Sequence, residues 1–437
     1  MGVTSILPDP SKVDDDHNTI SFYVGTKRGK LKKVTMKSSH VLRDDDDDIA
    51  IQDIMHMEEN HKTPYPIFSM ISLPTTTTTT TTDKGKNGDG HIILAGSGDR
   101  YITIWEQNND AVAESSWRIQ EKLGPHTGWV KDLALSSNKQ EGEKERFIFS
   151  IGCNCIEVWK TNMLDDGARR YDHVHKLKIE SSVDMGMTLS SDILCLATTS
   201  LFHNSIVADQ TKKKQQEELK QSNDIYWLFA GGVDGRIHRW TILCNNSFRD
   251  AEVVYAPGHD GRVNALLVCH KLQVAVSIGS DGCVNCWMLD MDASSCNKNE
   301  EVTSFLKRRI WSMNVTDSIL FQQNNARQQE ITVKLTSSCI LCEQHDHAII
   351  GIGTACGKVF LANIIKSSSS SDSIMSISLL EEWIEVGSSS SSGTARDGRG
   401  CTIHSLATQN SHIIIGHSDG ISIWQPTCEI VLLEQKS

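Results

Sequence analysis

Residues 258–287 read GHDGRVNALLVCHKLQVAVSIGSDGCVNCW. From Val263 to Val268, and again from Val274 to Gly279, the chain is mostly apolar, broken only by Asn264 and Ser277. Such runs read as strands. Asp281-Gly282 then precedes the alternating stretch Cys283–Trp287, and Asp-Gly between apolar runs is the strongest short-range hairpin signal. The segment therefore predicts one strand entered by a His259-bearing turn, then a hairpin that ends in tryptophan.

The hairpin recurs along the chain. Copies ending in Trp are Ile92–Trp105, Phe147–Trp159, Trp227–Trp240, Val274–Trp287 and Ile413–Trp424. Two more, Phe22–Val34 and Ile349–Ala362, keep the strand pattern without the Trp, which makes seven. Asp-Gly turns recur at 234–235 and 419–420. A further strand precedes several copies, as in Val130–Leu135, Val263–Val268 and Ile403–Ala407. Self-similarity at a fixed unit is the sequence signature of a repeat architecture, and it outweighs every shorter signal.

A Trp-ended hairpin preceded by Gly-His and a strand resembles the WD40 (β-transducin) repeat. The resemblance implies an all-β fold, a single seven-bladed β-propeller of four-stranded antiparallel blades. It also implies a structural tetrad in the fifth copy: His259 in the entry turn, Ser277 on the second strand, Asp281 in the hairpin and Trp287 at its end. The Ser-to-Trp spacing of ten and the Asp-to-Trp spacing of six match the repeat. In that scheme Asp orients His, His holds Ser, and Ser meets the indole N–H. The other copies depart from it. The second keeps Asp99 and Trp105 but has Ala95 for the serine, and the fourth keeps Asp234 and Trp240 with Ala230. The third has His126 and Trp159 around a turn one residue short, with Asn154 in place of Asp. The seventh keeps Asp419 and Trp424 in a shortened turn.

Residues 1–437 thus read as one propeller, with approximate blades 1–56, 64–122, 126–180, 188–256, 259–335, 338–386 and 400–434. Seven repeats of roughly 40–45 residues need about 310. The surplus lies in low-complexity stretches: the threonine run 75–82, the Lys-rich 203–223, the Asn/Gln-rich 291–301 and 322–330, and the Ser-rich 367–371 and 387–400. These bury little apolar area and read as flexible loop insertions. Two closures are open: Val3–Leu7 as the inner strand of blade one with Cys428–Leu433 as the outer strand of blade seven, so that the two ends meet as neighbouring blades, or one blade shared between the two termini, as the resemblance to WD40 proteins also allows.

At 437 residues the length prior is about three domains, and the repeat reduces that to one. There are 43 basic and 55 acidic residues, a net charge of −12, with Asp44–Asp48 a single block. An acidic chain is a poor generic ligand for nucleic acid or an anionic membrane. Direct nucleic-acid binding is not expected. Nor is membrane insertion, since no apolar run reaches 18 residues. No signal-peptide core is present, so the 13 cysteines read as reduced thiols. The expected location is cytoplasm or nucleus.

Signals for chemistry are few. Cys283/Cys286 and Cys339/Cys342 have zinc-like spacing. Both pairs fall in expected strands, where residues three apart point to opposite faces, so they read as core thiols. Cys153 and Cys155 flank Asn154 on a turn and read as turn packing or exposed thiols. No Gly-x-Ser-x-Gly elbow and no phosphate-loop signature occurs. His259/Asp281 is better read as a tetrad pair than as a catalytic dyad. No metal, cofactor or small-molecule substrate is expected, and the chain does not read as an enzyme.

The resemblance implies protein partners on the rim that carries the hairpin turns. Positions of this sequence that fall there include Lys27, Arg28, Arg100, Trp129, Asp260 and Arg262. Trp129 and Arg262 each precede the first apolar residue of a strand, in HTGWV and HDGRV. Exposed Trp and Arg dominate interface energetics. The plainer alternatives are packing of Trp129 under the next blade and a surface ion pair for Arg262. The basic stretch Lys27–Lys37 reads either as a solvated hairpin or as a dock for an acidic peptide or phosphate, with Asp44–Asp48 as a competing partner. The reading is a non-catalytic WD-repeat scaffold in a multi-subunit complex. The alternatives are a substrate receptor of a cullin-type ubiquitin ligase, or a subunit of an RNA-processing or ribosome-assembly complex.

Overall fold

The protein is described by a computed structural model over residues 2–9, 19–37, 49–55, 65–74, 91–108, 116–136, 145–164, 169–178, 192–200, 225–243, 258–289, 309–315, 333–367, 374–386 and 401–426. The insertions at 75–82, 203–223, 291–301, 322–330 and 387–400, the Asp44–Asp48 block and Cys428–Leu433 lie outside the described residues.

Seven antiparallel sheets follow one another along the chain. Blade one holds β1 (Val3–Pro8), β2 (Thr19–Thr26), β3 (Leu31–Lys37) and β4 (Ile49–Met55). Blade two holds β5 (Ile67–Pro74), β6 (His91–Ser97), β7 (Ile102–Asn108) and β8 (Ser116–Leu123). Blade three holds β9 (Val130–Leu135), β10 (Glu145–Gly152), β11 (Cys155–Met163) and β12 (Arg169–Lys178). Blade four shows three strands, β13 (Ile193–Ser200), β14 (Ile225–Gly232) and β15 (Ile237–Leu243). Blade five holds β16 (Val263–Cys269), β17 (Val274–Gly279), β18 (Cys283–Met288) and β19 (Arg309–Asn314). Blade six holds β20 (Leu335–Glu343), β21 (His347–Thr354), β22 (Lys358–Ser367) and β23 (Ile374–Glu385). Blade seven shows three, β24 (Ile403–Gln409), β25 (His412–His417) and β26 (Ile421–Trp424). The fold is the all-β seven-bladed propeller expected from the repeat. β20 opens at Leu335, inside the span expected for the fifth blade.

The first strand of each blade touches the first strand of the next, in the closed cycle β1, β5, β9, β13, β16, β20, β24 and back to β1. Second strands are mostly apolar and largely buried, β17 and β25 along their whole length. That is what a sheet covered on both faces requires. Among the described residues the core falls into seven clusters, one for each seam between adjacent blades. Val276 and Ile278 of blade five pack with Ile350 and Ile352 of blade six. Phe149 and Val158 of blade three pack with Leu228 and Trp240 of blade four. The other seams follow the same plan.

The ring closes between blades seven and one. Val3, Phe22 and Val24 share a cluster with Ala407 and Ile414. The amide of Ile6 donates to Ser405 Oγ at 3.1 Å. The amide of Ser21 donates to Gln409 Oε1 at 3.2 Å, and Gln409 Nε2 donates to the Asp9 carbonyl at 3.4 Å. No strand is shared between the two blades among the described residues.

Candidate functional site

The joints between strands come first, because they hold the rim loops in place. In blade five, His259 Nδ1 lies 3.1 Å from both carboxylate oxygens of Asp281. His259 Nε2 lies 2.9 Å from Ser277 Oγ, and the Trp287 indole N–H donates to that oxygen at 3.0 Å. Asn285 Nδ2 also donates to the Gly258 carbonyl. Burial alone would raise the Asp281 carboxyl. The bond to His259 and those from the amides of Cys283 and Asp260 outweigh it and hold the group below its ordinary range. The His259–Ser277–Trp287 chain of buried polar groups is thereby satisfied, while Asn285 Oδ1 meets no donor among the described residues.

Blade three builds a similar joint that the sequence reading overlooked. His126 Nε2 lies 2.7 Å from Ser150 Oγ, and the Trp159 N–H donates to Ser150 Oγ at 3.1 Å. His126 Nδ1 meets the Arg100 carbonyl at 3.0 Å, where blade five uses Asp281. Ser150 escaped notice because the turn is one residue short, so serine and tryptophan are nine apart instead of ten. Strand register removes the discrepancy. Ser150 sits two residues beyond the partner of Trp159, as Ser277 sits two beyond the partner of Trp287.

The rim residues are all exposed. Lys27 and Arg28 lie in the β2–β3 turn, Arg100 in the β6–β7 turn, Trp129 ahead of β9, and Asp260 and Arg262 ahead of β16. Arg100 adopts φ 73°, and its carbonyl accepts the His126 amide at 2.9 Å. The Asp260 amide donates to Asp281 at 3.0 Å, and the Arg262 carbonyl accepts from Ser280 at 2.9 Å. The backbone under Arg100, Asp260 and Arg262 is therefore held by hydrogen bonds. Trp129 is 56% exposed, yet its ring stacks on Phe68 of blade two, with centroids 5.6 Å apart and planes 21° from parallel. Tyr65, three residues ahead of Phe68, is 40% exposed.

One sequence reading needs correction in detail. Cys339 and Cys342 do not face opposite sides. The β20–β21 register shifts between Ile340 and Cys342, and both thiols enter the same core cluster. A bulge inserts one extra residue, so a spacing of three behaves as a spacing of two. Burial pushes the Cys339 thiol up to about 12. In the basic stretch, Lys33 does not stand free. Its ammonium lies 2.7 Å from Asp9, whose side chain is fully buried, and 5.4 Å from the Tyr23 ring centroid.

A cavity of about 280 Å³ opens on the ring axis, lined by first-strand residues including Ser69, Lys131, Asp132, Asn264 and His404. Asp132 links three blades. Ser69 Oγ donates to it at 2.8 Å, and the amide of Leu196 donates to it at 2.8 Å. Burial raises its carboxyl to about 6 despite those bonds.

Seven seams, a closed cycle of first strands and His–Ser–Trp joints define a seven-bladed β-propeller of the WD40 architecture. Known protein-family profiles do not match the chain, and neither does any curated protein. Among solved structures it is similar to that of U3-55K, with a TM-score of 0.52 at 13% identity over 96% of this chain and 89% of that one. It is similar also to the RRP9 WD40 repeats, with a TM-score of 0.51 at 13% identity over 96% and 88%. At that identity the likeness establishes the fold. No helix among the described residues is long and apolar enough to cross a membrane.

Proposed function

We propose that the protein is a non-catalytic scaffold that binds partner proteins or peptides on the rim carrying the hairpin turns. The observation that carries this reading is Trp129. Its outer face is open while Phe68 holds its inner face. A large aromatic surface held in place beforehand binds with little loss of side-chain freedom. Lys27, Arg28, Arg100 and Arg262 bring four exposed cations to the same end of the ring, against the exposed Asp260 beside them. The partner suited to this rim carries an apolar side chain for Trp129 and carboxylates for the arginines and Lys27. Assembly into a multi-subunit complex in the cytoplasm or nucleus follows from such a role.

The test is affinity capture from the protein's own cells, comparing wild type with the Trp129→Ala/Arg262→Ala double variant. Partner capture is expected to vanish while the thermal unfolding midpoint stays put. Equal loss of stability would make the two residues structural. An unchanged set of captured proteins would remove this rim from consideration. Capture of cullin-ligase subunits, or of RNA-processing or ribosome-assembly proteins, would select one of the more specific readings.

A further inference from the structure

The seventh blade fills its tetrad position by a different route, and the result is a group of metal-binding atoms. Strand pairing sets Gly279 opposite Val263 in blade five and His417 opposite Ile403 in blade seven. His417 thus occupies the register position of Gly279, and Asp419 that of Asp281. A Cβ at Gly279 would run into His259 Nδ1 and Asp281 Oδ1. A side chain grown from this position therefore enters the space that His259 fills in blade five. His417 does so. Its Nε2 lies 3.1 Å from Ser422 Oγ, and its Nδ1 lies 3.0 Å from Cys401 Sγ. Cys401 Sγ, a ring nitrogen of His417 and a carboxylate oxygen of Asp419 all lie within 4.8 Å of one another.

We propose that Cys401, His417 and Asp419 form a binding site for a zinc ion. The donor set is one thiolate, one imidazole and one carboxylate, which suits a borderline-soft divalent cation with tetrahedral preference. Thiolate and carboxylate together neutralise the charge of Zn²⁺. Zn–S is about 2.3 Å and Zn–N or Zn–O about 2.0–2.2 Å, so donors of a tetrahedral site stand about 3.3–3.6 Å apart. The Cys401–His417 separation of 3.0 Å is just inside that spacing, and the separations to Asp419 are no more than 4.8 Å. Ser422 does for His417 what an outer-shell partner does at a zinc centre. It engages Nε2, fixes the ring plane and leaves the Nδ1 lone pair to the metal. Two ligands are set by one hairpin, His417 at the end of β25 and Asp419 two residues on. The third stands just ahead of β24, so the ion would tie the β25–β26 turn to the entry of the first strand. Three protein ligands leave the fourth position to water. On binding, the Cys401 S–H bond breaks and an S–Zn bond forms. The proton leaves to the buffer, and no electron is transferred.

The experiment uses the full chain, reduced and metal-free, titrated with Co²⁺ and then displaced with Zn²⁺. Expected is one equivalent of tetrahedral cobalt with a thiolate-to-metal charge-transfer band, lost on adding Zn²⁺. The band should disappear in Cys401→Ser. In Asp419→Asn, a conservative change at an exposed position, affinity should fall by at least the roughly 10–100-fold that loss of an outer-shell partner costs. Zn²⁺ should also shield Cys401 from iodoacetamide while exposed Cys356 stays reactive. A charge-transfer band that survives Cys401→Ser, or alkylation of Cys401 unaffected by Zn²⁺, would overturn the assignment.

Discussion

Ala95 stands where blade five has Ser277, and Trp105 opposite that joint keeps a buried indole N–H that meets no acceptor among the described residues. Trp105 is only 1% exposed. An unpaired buried donor costs about 1–3 kcal/mol. Ala95→Ser restores the acceptor at the cost of one small atom. Urea unfolding should show a gain of about 1 kcal/mol. A loss would mean that the seam has no room for the hydroxyl.

The intact joint predicts the opposite sign. Trp287→Ala removes a fully buried side chain and the partner of Ser277 together. It should lower the unfolding free energy by roughly 3–5 kcal/mol. An effect below about 1 kcal/mol, the size of a surface change, would remove Trp287 from the core of blade five.

Two carboxylates should give the stability opposite pH slopes. Asp132 has a folded value of about 6, above its unfolded value, so the folded chain binds its proton more readily. Its stabilising share is complete below the unfolded value near 4 and is lost as the pH rises through about 6. Two pK units correspond to something on the order of 3 kcal/mol. Asp281 is held below its ordinary value. Its share is present above the unfolded value and is lost as the pH falls through the depressed one. Denaturation measured between pH 4 and 7 should therefore show a falling contribution that flattens in Asp132→Asn. An identical slope in that variant would assign the pH dependence to other groups.

The closing seam offers a fourth test. Gln409 accepts from the Ser21 amide and donates to the Asp9 carbonyl across blades seven and one. Gln409→Leu keeps the volume and strands both groups, so it should cost about 1–3 kcal/mol by chemical denaturation. A neutral result would show that apolar packing alone holds that seam.

Much of the ring was legible because its signals are local. Asp-Gly turns, alternating strands and terminal tryptophans occupy a dozen residues each and need no tertiary knowledge. What stayed hidden depends on register or on distant neighbours. Ser150 was lost to a one-residue change of turn length, and the shared face of Cys339 and Cys342 to a bulge. Phe68 beneath Trp129 lies 61 residues away in sequence, and no pattern marks the pair. His417 was missed because the histidine was sought ahead of the first strand, whereas blade seven supplies it from the end of the second.

The seven core clusters have one further consequence. Among the described residues, backbone ladders run only within blades, and each junction between blades is side-chain packing with a few hydrogen bonds, including the junction that joins blade seven to blade one. No junction is topologically privileged. A chain opened between any two blades and rejoined elsewhere would have the same seven junctions to make. The order of the blades is thus a property of a circle, and circular permutants with new starts at other blade borders should reach the same architecture.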